Sequence, residues 1–176
     1  GLNSLNLLNF TPLPRLLPLI LLFLAACDRS PKETRIAFGS CGHEDEPQPI
    51  LALAASYHPD LFIYLGDNIY GDTDDMDTLR AKYQRLAAKP EYQKLDSATR
   101  IIATWDDHDF GPNDAGASYI FKNESRQIFK NYWANPSYGE EGKGIYTKLS
   151  YSDVDFFLTD DRFFRSEEEQ PDSIDG

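Results

Sequence analysis

Three short apolar segments separated by two helical segments constrain the fold of this chain more than any other feature. Residues 35–41, 61–66 and 100–105 are rich in β-branched and aromatic side chains, which is typical of buried strands. Between them, residues 47–57 and 74–89 carry apolar side chains at helical spacing. Strands that alternate with helices in this way indicate an α/β fold with a mainly parallel sheet. In such a sheet, functional groups gather just beyond the carboxyl ends of the strands.

The remainder of the chain predicts two further helices and one hairpin. A short helical stretch follows Pro90, and a longer helix is expected at 123–133. Residues 144–164 alternate between apolar and polar side chains and then become continuously apolar. This pattern predicts a hairpin that turns at residues 150–153.

The amino-terminal residues 1–26 are predicted to be a lipoprotein signal peptide. Their apolar run is too short and too rich in proline for a membrane-spanning helix, and it ends in the letters LAA directly before Cys27. These letters resemble the cleavage site of bacterial lipoproteins, in which the cysteine is acylated and becomes the mature amino terminus. A buried apolar helix is the alternative, but residues 27–34 are polar and read as a linker. We therefore expect a lipid anchor that attaches the protein to the membrane on the extracytoplasmic side of a bacterial cell envelope.

The charge balance limits the possible partners. Seventeen basic residues against 29 acidic ones give a formal net charge of −12. Such a surface repels nucleic acids, so binding of nucleic acid through a basic surface is not expected. If the protein handles phosphate, bound cations must offset the negative charge of that ligand.

Metal-ligating residue types follow each of the three predicted strands. Cys41 follows the first strand, and Asp67 and Tyr70 follow the second; a third group follows the last strand and consists of Asp106, Asp107, His108 and Asn113. Each loop taken alone is equally compatible with a tight turn, a helix cap or an exposed acidic loop. Their occurrence at three successive strand ends favours a polynuclear metal site. Thiolate and phenolate suit ferric iron, whereas carboxylate and amide oxygens suit calcium, magnesium or manganese.

The ordered motifs resemble those of a known enzyme family. GSC at 39–41, GDNIYGD at 66–72, WDDHD at 105–109 and FFLTDDRFFR at 156–165 together resemble the alkaline phosphatase D (PhoD-like) branch of the metallophosphoesterases. The resemblance extends over residues 35–165. It implies a metallophosphoesterase-like β-sandwich flanked by helices, of which residues 35–176 would be the amino-terminal part.

The same resemblance implies a role for each motif residue. Cys41, Asp67 and Tyr70 would bind Fe³⁺, with Asp67 bridging to a second metal. That metal would be Ca²⁺, or alternatively Mg²⁺ or Mn²⁺, and its ligands would come from Asp106, Asp107 and Asn113; the choice between the two aspartates stays open. His108 would protonate the leaving group.

Two arginines at the end of the resemblance are the expected substrate contacts. Arg162 and Arg165 lie in the stretch that reads TDDR here, where the family usually has LDTR, and Asp160 lies in the same stretch. The resemblance implies that these arginines bind the phosphate ester.

These observations predict an exported metal-dependent phosphatase or phosphodiesterase that hydrolyses phosphate esters with a metal-activated water. Phospholipids or teichoic-type diesters are alternative substrates for the same site. A non-catalytic metal-binding lipoprotein is the alternative from a different class. Because the resemblance implies further metal ligands beyond Gly176, a chain that ended there would be an inactive fragment.

Overall fold

A three-stranded parallel sheet forms the centre of the fold. The computed structural model describes residues 33–166, and the strands are β1 (Ile36–Gly39), β2 (Leu61–Leu65) and β3 (Arg100–Thr104) in the order β1-β2-β3. Both strand pairs are parallel. Four of the five residues of β2 are buried, as expected for the middle strand of a covered sheet. The three predicted strands are confirmed.

Helices connect these strands. They are α1 (Pro49–Ser56), α2 (Met76–Ala88), α3 (Pro90–Ala98), α4 (Asp107–Phe110) and α5 (Lys122–Tyr132). Proline begins α1 and α3, where its missing N–H has no intrahelical acceptor to lose. The Asp75 side chain caps α2 by accepting the N–H of Asp77 at 3.0 Å. All of these helices except α4 were predicted, and α4 has only four residues, too few for helical periodicity to show.

The predicted hairpin forms a separate sheet. Strands β4 (Thr147–Tyr151) and β5 (Val154–Leu158) pair antiparallel and turn at residues 152–153, within the predicted turn. Leu149 and Leu158 share an apolar cluster with three side chains of the parallel sheet, namely Leu61, Ile63 and Ile102. The hairpin therefore packs against one face of the parallel sheet.

The other face of the parallel sheet packs against the helices. Because side chains alternate along a strand, Phe62 and Tyr64 of β2 point away from the hairpin. They join a larger cluster that includes Tyr83, Trp105 and Phe129. This cluster supports the loops that follow β2 and β3, where the candidate site lies.

These elements confirm the predicted α/β class but not the finer fold. The described residues contain one sheet of three strands and one of two, so they do not establish a metallophosphoesterase-type β-sandwich. Residues 1–32 and 167–176 lie outside the described range, and with them the predicted signal peptide and Cys27. The domain boundaries, the anchor and the location of the protein stay predictions. Within residues 33–166 no helix is long and apolar enough to cross a membrane.

Candidate metal centre

The loops after β1, β2 and β3 bring several of the predicted ligands together. The Sγ of Cys41 lies 3.4 Å from the Oδ2 of Asp67. One ligand atom from each of Asp67, Asp107 and His108 lies within 4.8 Å of the other two. Parallel strands end at the same edge of a sheet, and this is why residues as far apart in sequence as Asp67 and His108, 41 positions, meet here.

The backbone at this edge adopts an uncommon conformation. Cys41, Asp67 and Asp72 have φ angles of 57°, 51° and 45°, in the left-handed region that residues other than glycine seldom occupy. Two backbone hydrogen bonds tie the first two loops together: Cys41 N–H donates to Gly66 O at 3.3 Å, and Gly42 N–H donates to Asp67 O at 2.9 Å. Strained backbone of this kind is concentrated at functional sites.

Gly66 allows the loops after β2 and β3 to touch. Its φ is 105°, and a Cβ at this position would lie 2.8 Å from the Cβ of Asp106. Any other residue would therefore separate Asp67 from Asp106 and Asp107. At the far end of the same loop, Gly71 N–H donates to His108 O at 2.9 Å. The two glycines of the GDNIYGD motif thus set the spacing of the site.

Asp109 stabilises the loops of the site through hydrogen bonds. It is fully buried, and its carboxylate accepts the backbone N–H groups of Asn68 and Asp106 at 3.1 Å and the hydroxyl of Tyr83 at 3.2 Å. Burial raises the pKa of Asp109 to about 7. Asp109 is not among the residues for which the sequence predicts a role. Its position three residues after the cap residue Asp106 is the signal for a capping box.

The two neighbouring aspartates differ in what they contact. Asp106 caps α4, accepting the N–H of Asp107 at 2.8 Å, and it forms an ion pair with Arg162. Asp107 is buried, and its Oδ2 accepts the N–H of Asp114 at 2.8 Å. Burial acts to raise the pKa of Asp107, but the Asp114 N–H and the charge of Arg162 outweigh it, so this pKa is lowered. Asp106 is therefore occupied by protein partners, whereas Asp107 stays charged beside Asp67 and His108.

Tyr70 lies between two imidazole rings. Its ring centroid is 4.8 Å from that of His43, with the planes nearly parallel, and 4.3 Å from that of His108. Burial raises the pKa of Tyr70, and the neighbouring Cys41 and Asp67 raise it further. The phenol accordingly keeps its proton unless a cation stabilises the phenolate.

His108 is paired with a carboxylate. Its Nδ1 lies 2.6 Å from the Oδ1 of Asp72. Burial acts to lower the pKa of His108, but the hydrogen bond and charge of Asp72 outweigh it, so the pKa is raised. The imidazole can therefore hold its second proton at higher pH than an isolated histidine.

Arg162 faces the cluster, and Asp160 positions it. The guanidinium contacts Asp106 and lies 3.7 Å from Asp107 Oδ1, and its Nη1 is buried with no hydrogen-bond partner among the described residues. The Asp160 carboxylate accepts the N–H groups of Arg162 and Phe163 and the indole N–H of Trp105. This turn therefore presents Arg162 to the site.

Asn113 and Arg165 lie at the edge of this arrangement. The exposed Asn113 amide donates to Asp114 Oδ2 at 2.6 Å, and Arg165 Nη1 lies 3.9 Å from Asp114 Oδ1. Asp114 links this loop to the centre through Asp107. Neither of the two predicted residues is in the group formed by Asp67, Asp107 and His108.

The charge of the site fits a bound cation. Arg162 forms ion pairs with Asp106 and Asp107, and three more carboxyl groups belong to the same loops, namely those of Asp67, Asp72 and Asp109. Burial raises the pKa of Asp67, and the charges of Asp106 and Asp107 add to that increase. The Oδ1 of Asp67 is buried with no hydrogen-bond partner among the described residues. A buried carboxylate oxygen without a donor, beside a thiol and a phenol, is a donor set that accepts a hard metal ion.

A second group of similar residues has its charge balanced by protein side chains. His43, Glu44 and Asp45 also place ligand atoms within 4.8 Å of one another. However, Lys82 forms ion pairs with Glu44 and Asp45, and Arg85 forms one with Asp45 at 2.6 Å. The two carboxylates are thus neutralised by two cationic side chains. Glu44 is not among the residues predicted from the sequence, and it is buried although it lies in an otherwise polar loop.

Comparisons with known proteins show similarity to one solved structure. No protein-family model matches the chain, and no curated protein matches it. A solved structure described as "Structure of PhoD" matches with a TM-score of 0.64 and 18% sequence identity. The match covers 76% of this chain and 32% of the PhoD chain. The predicted resemblance to PhoD is confirmed at the level of the fold: the chain folds like part of PhoD.

Proposed function

We propose that this chain carries part of the active site of a metal-dependent phosphatase or phosphodiesterase. The observation that carries the proposal is the meeting of Asp67, Asp107 and His108 at the carboxyl edge of a PhoD-like sheet. Arg162 is the one cationic side chain in contact with Asp106 and Asp107 among the described ion pairs. A cation is needed to offset the remaining negative charge before a phosphate ester can approach.

The candidate ligands would divide between two metal ions. Cys41, Asp67 and Tyr70 would hold Fe³⁺, because thiolate and phenolate favour a trivalent ion. Asp67 and Asp107 would hold the second ion, Ca²⁺ or alternatively Mg²⁺ or Mn²⁺. We favour Asp107 over Asp106 because Asp106 is already occupied by Arg162 and by the α4 cap. When bound, the ions offset phosphate charge and activate the attacking water.

The chain's own residues bind the substrate and move a proton. The buried Nη1 of Arg162 has no protein acceptor among the described residues and can donate to a phosphate oxygen. Asp72 contacts the Nδ1 of His108 and so orients the ring, leaving Nε2 to donate a proton to the leaving oxygen. Asp160 holds the turn that carries Arg162.

The first test is hydrolysis by the full-length protein, which supplies the further metal ligands that the resemblance implies. Protein loaded with Fe³⁺ and Ca²⁺ should hydrolyse p-nitrophenyl phosphate or bis-p-nitrophenyl phosphate, and Asp67→Ala should lose both bound metal and activity. Asp77→Ala is the matched control, because this aspartate is exposed and pairs with Arg80 away from the site. Metal content is measured by elemental analysis. Equal metal content and activity in the two variants would contradict the proposal.

The second test separates proton donation by His108 from metal binding. His108→Ala should lower turnover by about 10²- to 10⁴-fold on an ester with a poor alkoxide leaving group, the usual contribution of a proton donor. The loss should be smaller on an aryl ester, whose leaving group scarcely needs a proton. Metal content should not change. If His108→Ala lost metal, or lost activity equally on both esters, His108 would be a ligand and not the acid.

A further inference from the structure

A buried carboxylate lies behind Tyr70. Glu44 is 1% exposed, and its Oε2 accepts the backbone N–H of Tyr70 at 2.8 Å. The two residues are 26 positions apart, so this hydrogen bond joins the loop after β1 to the loop after β2. An N–H that donates to a carboxylate forms a stronger bond than one that donates to a neutral acceptor.

Lys82 of α2 makes the burial of this carboxylate possible. Its Nζ forms ion pairs with Glu44 and with Asp45. Burial acts to lower the pKa of Lys82, but the two carboxylates outweigh it, so Lys82 stays charged. The ion pair therefore fixes Glu44 against a helix of the core.

The residue before Glu44 contacts the side chain of the same tyrosine. The His43 and Tyr70 rings are stacked, with an interplanar angle of 7°. Residues 43 and 44 thus hold Tyr70 at two points, the ring and the backbone N–H. Cys41 and Asp67 are close enough to Tyr70 for their charges to raise the pKa of its phenol.

We propose that Glu44 is a positioning residue for Tyr70, which it holds through the backbone N–H so that the phenol oxygen is aligned with Cys41 and Asp67. This inference rests on the proposed metal-binding function of Tyr70. Glu44 itself is not assigned as a ligand, because Lys82 and the Tyr70 N–H occupy its two oxygens. Metal ligands commonly depend on such outer contacts for their orientation.

The experiment compares Glu44→Ala and Glu44→Gln with Asp45→Ala. Asp45 shares Lys82 with Glu44 but has no contact with Tyr70 among the described hydrogen bonds, so it is a matched control. The first readout needs no metal: amide hydrogen exchange at Tyr70 should be faster in Glu44→Ala and unchanged in Asp45→Ala. The second is the visible tyrosinate-to-iron charge-transfer band on titration of the full chain with Fe³⁺. In Glu44→Ala this band should shift, and Fe³⁺ affinity should fall by about 10- to 100-fold, as is usual for a lost outer contact.

Glu44→Gln keeps the hydrogen-bond acceptor and protects the test against misfolding of Glu44→Ala. It should retain most of the affinity while shifting the band and the exchange rate in the same direction. If both Glu44 variants matched Asp45→Ala in exchange rate and in the band, the positioning role would be wrong while the iron site stood. If the unmodified protein gave no tyrosinate band with Fe³⁺, both this inference and the proposed iron site would be wrong.

Discussion

Two groups in this protein contain the same residue types but differ in charge balance. His43, Glu44 and Asp45 form one group, and Asp67, Asp107 and His108 form the other; each places its ligand atoms within 4.8 Å. In the first group, Lys82 and Arg85 neutralise the two carboxylates. In the second, the described ion pairs supply Arg162, which is shared with Asp106.

The pKa directions of the two groups show what this difference means. Hydrogen bonds from Arg85 and Lys82 hold the pKa of Asp45 well below its usual value. Burial raises the pKa of Asp67, and the charge of Asp106 adds to that increase. Asp45 thus contacts protein cations that stabilise its charged form, whereas Asp67 is part-buried with no ion pair to a lysine or arginine among the described residues. Asp107 lies between these two cases, because the Asp114 N–H and the charge of Arg162 lower its pKa. Residue composition alone therefore does not distinguish an ion-paired structural cluster from a candidate metal site. The two are distinguished by the partners of each carboxylate.

The largest expected difference between the groups is in stabilisation by metal. A metal that binds only the folded protein raises its free energy of unfolding by about 2.7 kcal/mol at a concentration 100 times its Kd. Asp107→Ala should abolish this increase for the second ion, because it removes one of the two aspartates proposed to hold that ion. Asp45→Ala should retain it. The measurement is denaturant unfolding with and without added Ca²⁺.

Two outcomes would contradict this assignment of the metal to the group of Asp67, Asp107 and His108. Loss of metal stabilisation in Asp45→Ala alone would place the metal in the group around Glu44. Retention of the full effect in Asp107→Ala would remove Asp107 from the ligand set and favour Asp106.

The spacing of the second group depends on Gly66. Gly66→Ala places a side chain at φ 105° and 2.8 Å from Asp106 Cβ, so it should cost about 1–3 kcal/mol of stability and weaken metal binding. Gly142→Ala is the control, because Gly142 has a similar left-handed φ of 79° but no atom within 4 Å of the new Cβ. It should cost only the backbone strain, about 1–2 kcal/mol, and leave metal binding unchanged. Equal metal affinity in the two variants would show that the close approach at Gly66 does not set the site.

The parts of this structure that could be predicted depend on local pattern. The three strands, the longer helices and the hairpin follow from apolar periodicity and from turn residues such as Pro90. The meeting of Cys41, Asp67 and Asp107 was also predictable, because parallel strands end at a common edge. α4 was not, since a four-residue helix shows no periodicity.

The roles of Glu44 and Asp109 could not be predicted, because they depend on partners that are distant in sequence. Glu44 acquires its role from Tyr70 and Lys82, 26 and 38 residues away, and Asp109 acquires its role from Asn68, 41 residues away. The spacing of Asp106 and Asp109 signals their capping box, but nothing in the local sequence of Glu44 or Asp109 indicates the contacts with these distant partners. The choice between Asp106 and Asp107 was open for the same reason, because it depends on Arg162, 56 residues from Asp106.

The smallest expected effects are changes in stability without metal, and they have opposite signs in the two groups. The pKa of Asp67 is raised in the folded protein above its usual 3.8, so its favourable contribution is present below pH 3.8 and is lost as pH rises through the raised value. Asp67→Asn removes the charge, and asparagine tolerates the left-handed φ of 51° at this position. This variant should therefore be slightly more stable than the unmodified protein at pH 7 in the presence of a chelator.

Asp45→Asn should be slightly less stable at pH 7. The pKa of Asp45 is lowered in the folded protein, so its contribution is present above pH 3.8 and is lost as pH falls through the lowered value. Because this carboxylate is partly exposed, solvent screens its ion pairs and the loss should be small. Denaturant unfolding between pH 3 and pH 8 measures both variants. The difference for Asp67→Asn should shrink as pH falls through the raised pKa towards 3.8, and that for Asp45→Asn should begin to shrink only below pH 3.8. A decrease in stability at pH 7 for Asp67→Asn as well as for Asp45→Asn would mean that Asp67 is stabilised by its own protein partners, and the contrast between the two groups would be wrong.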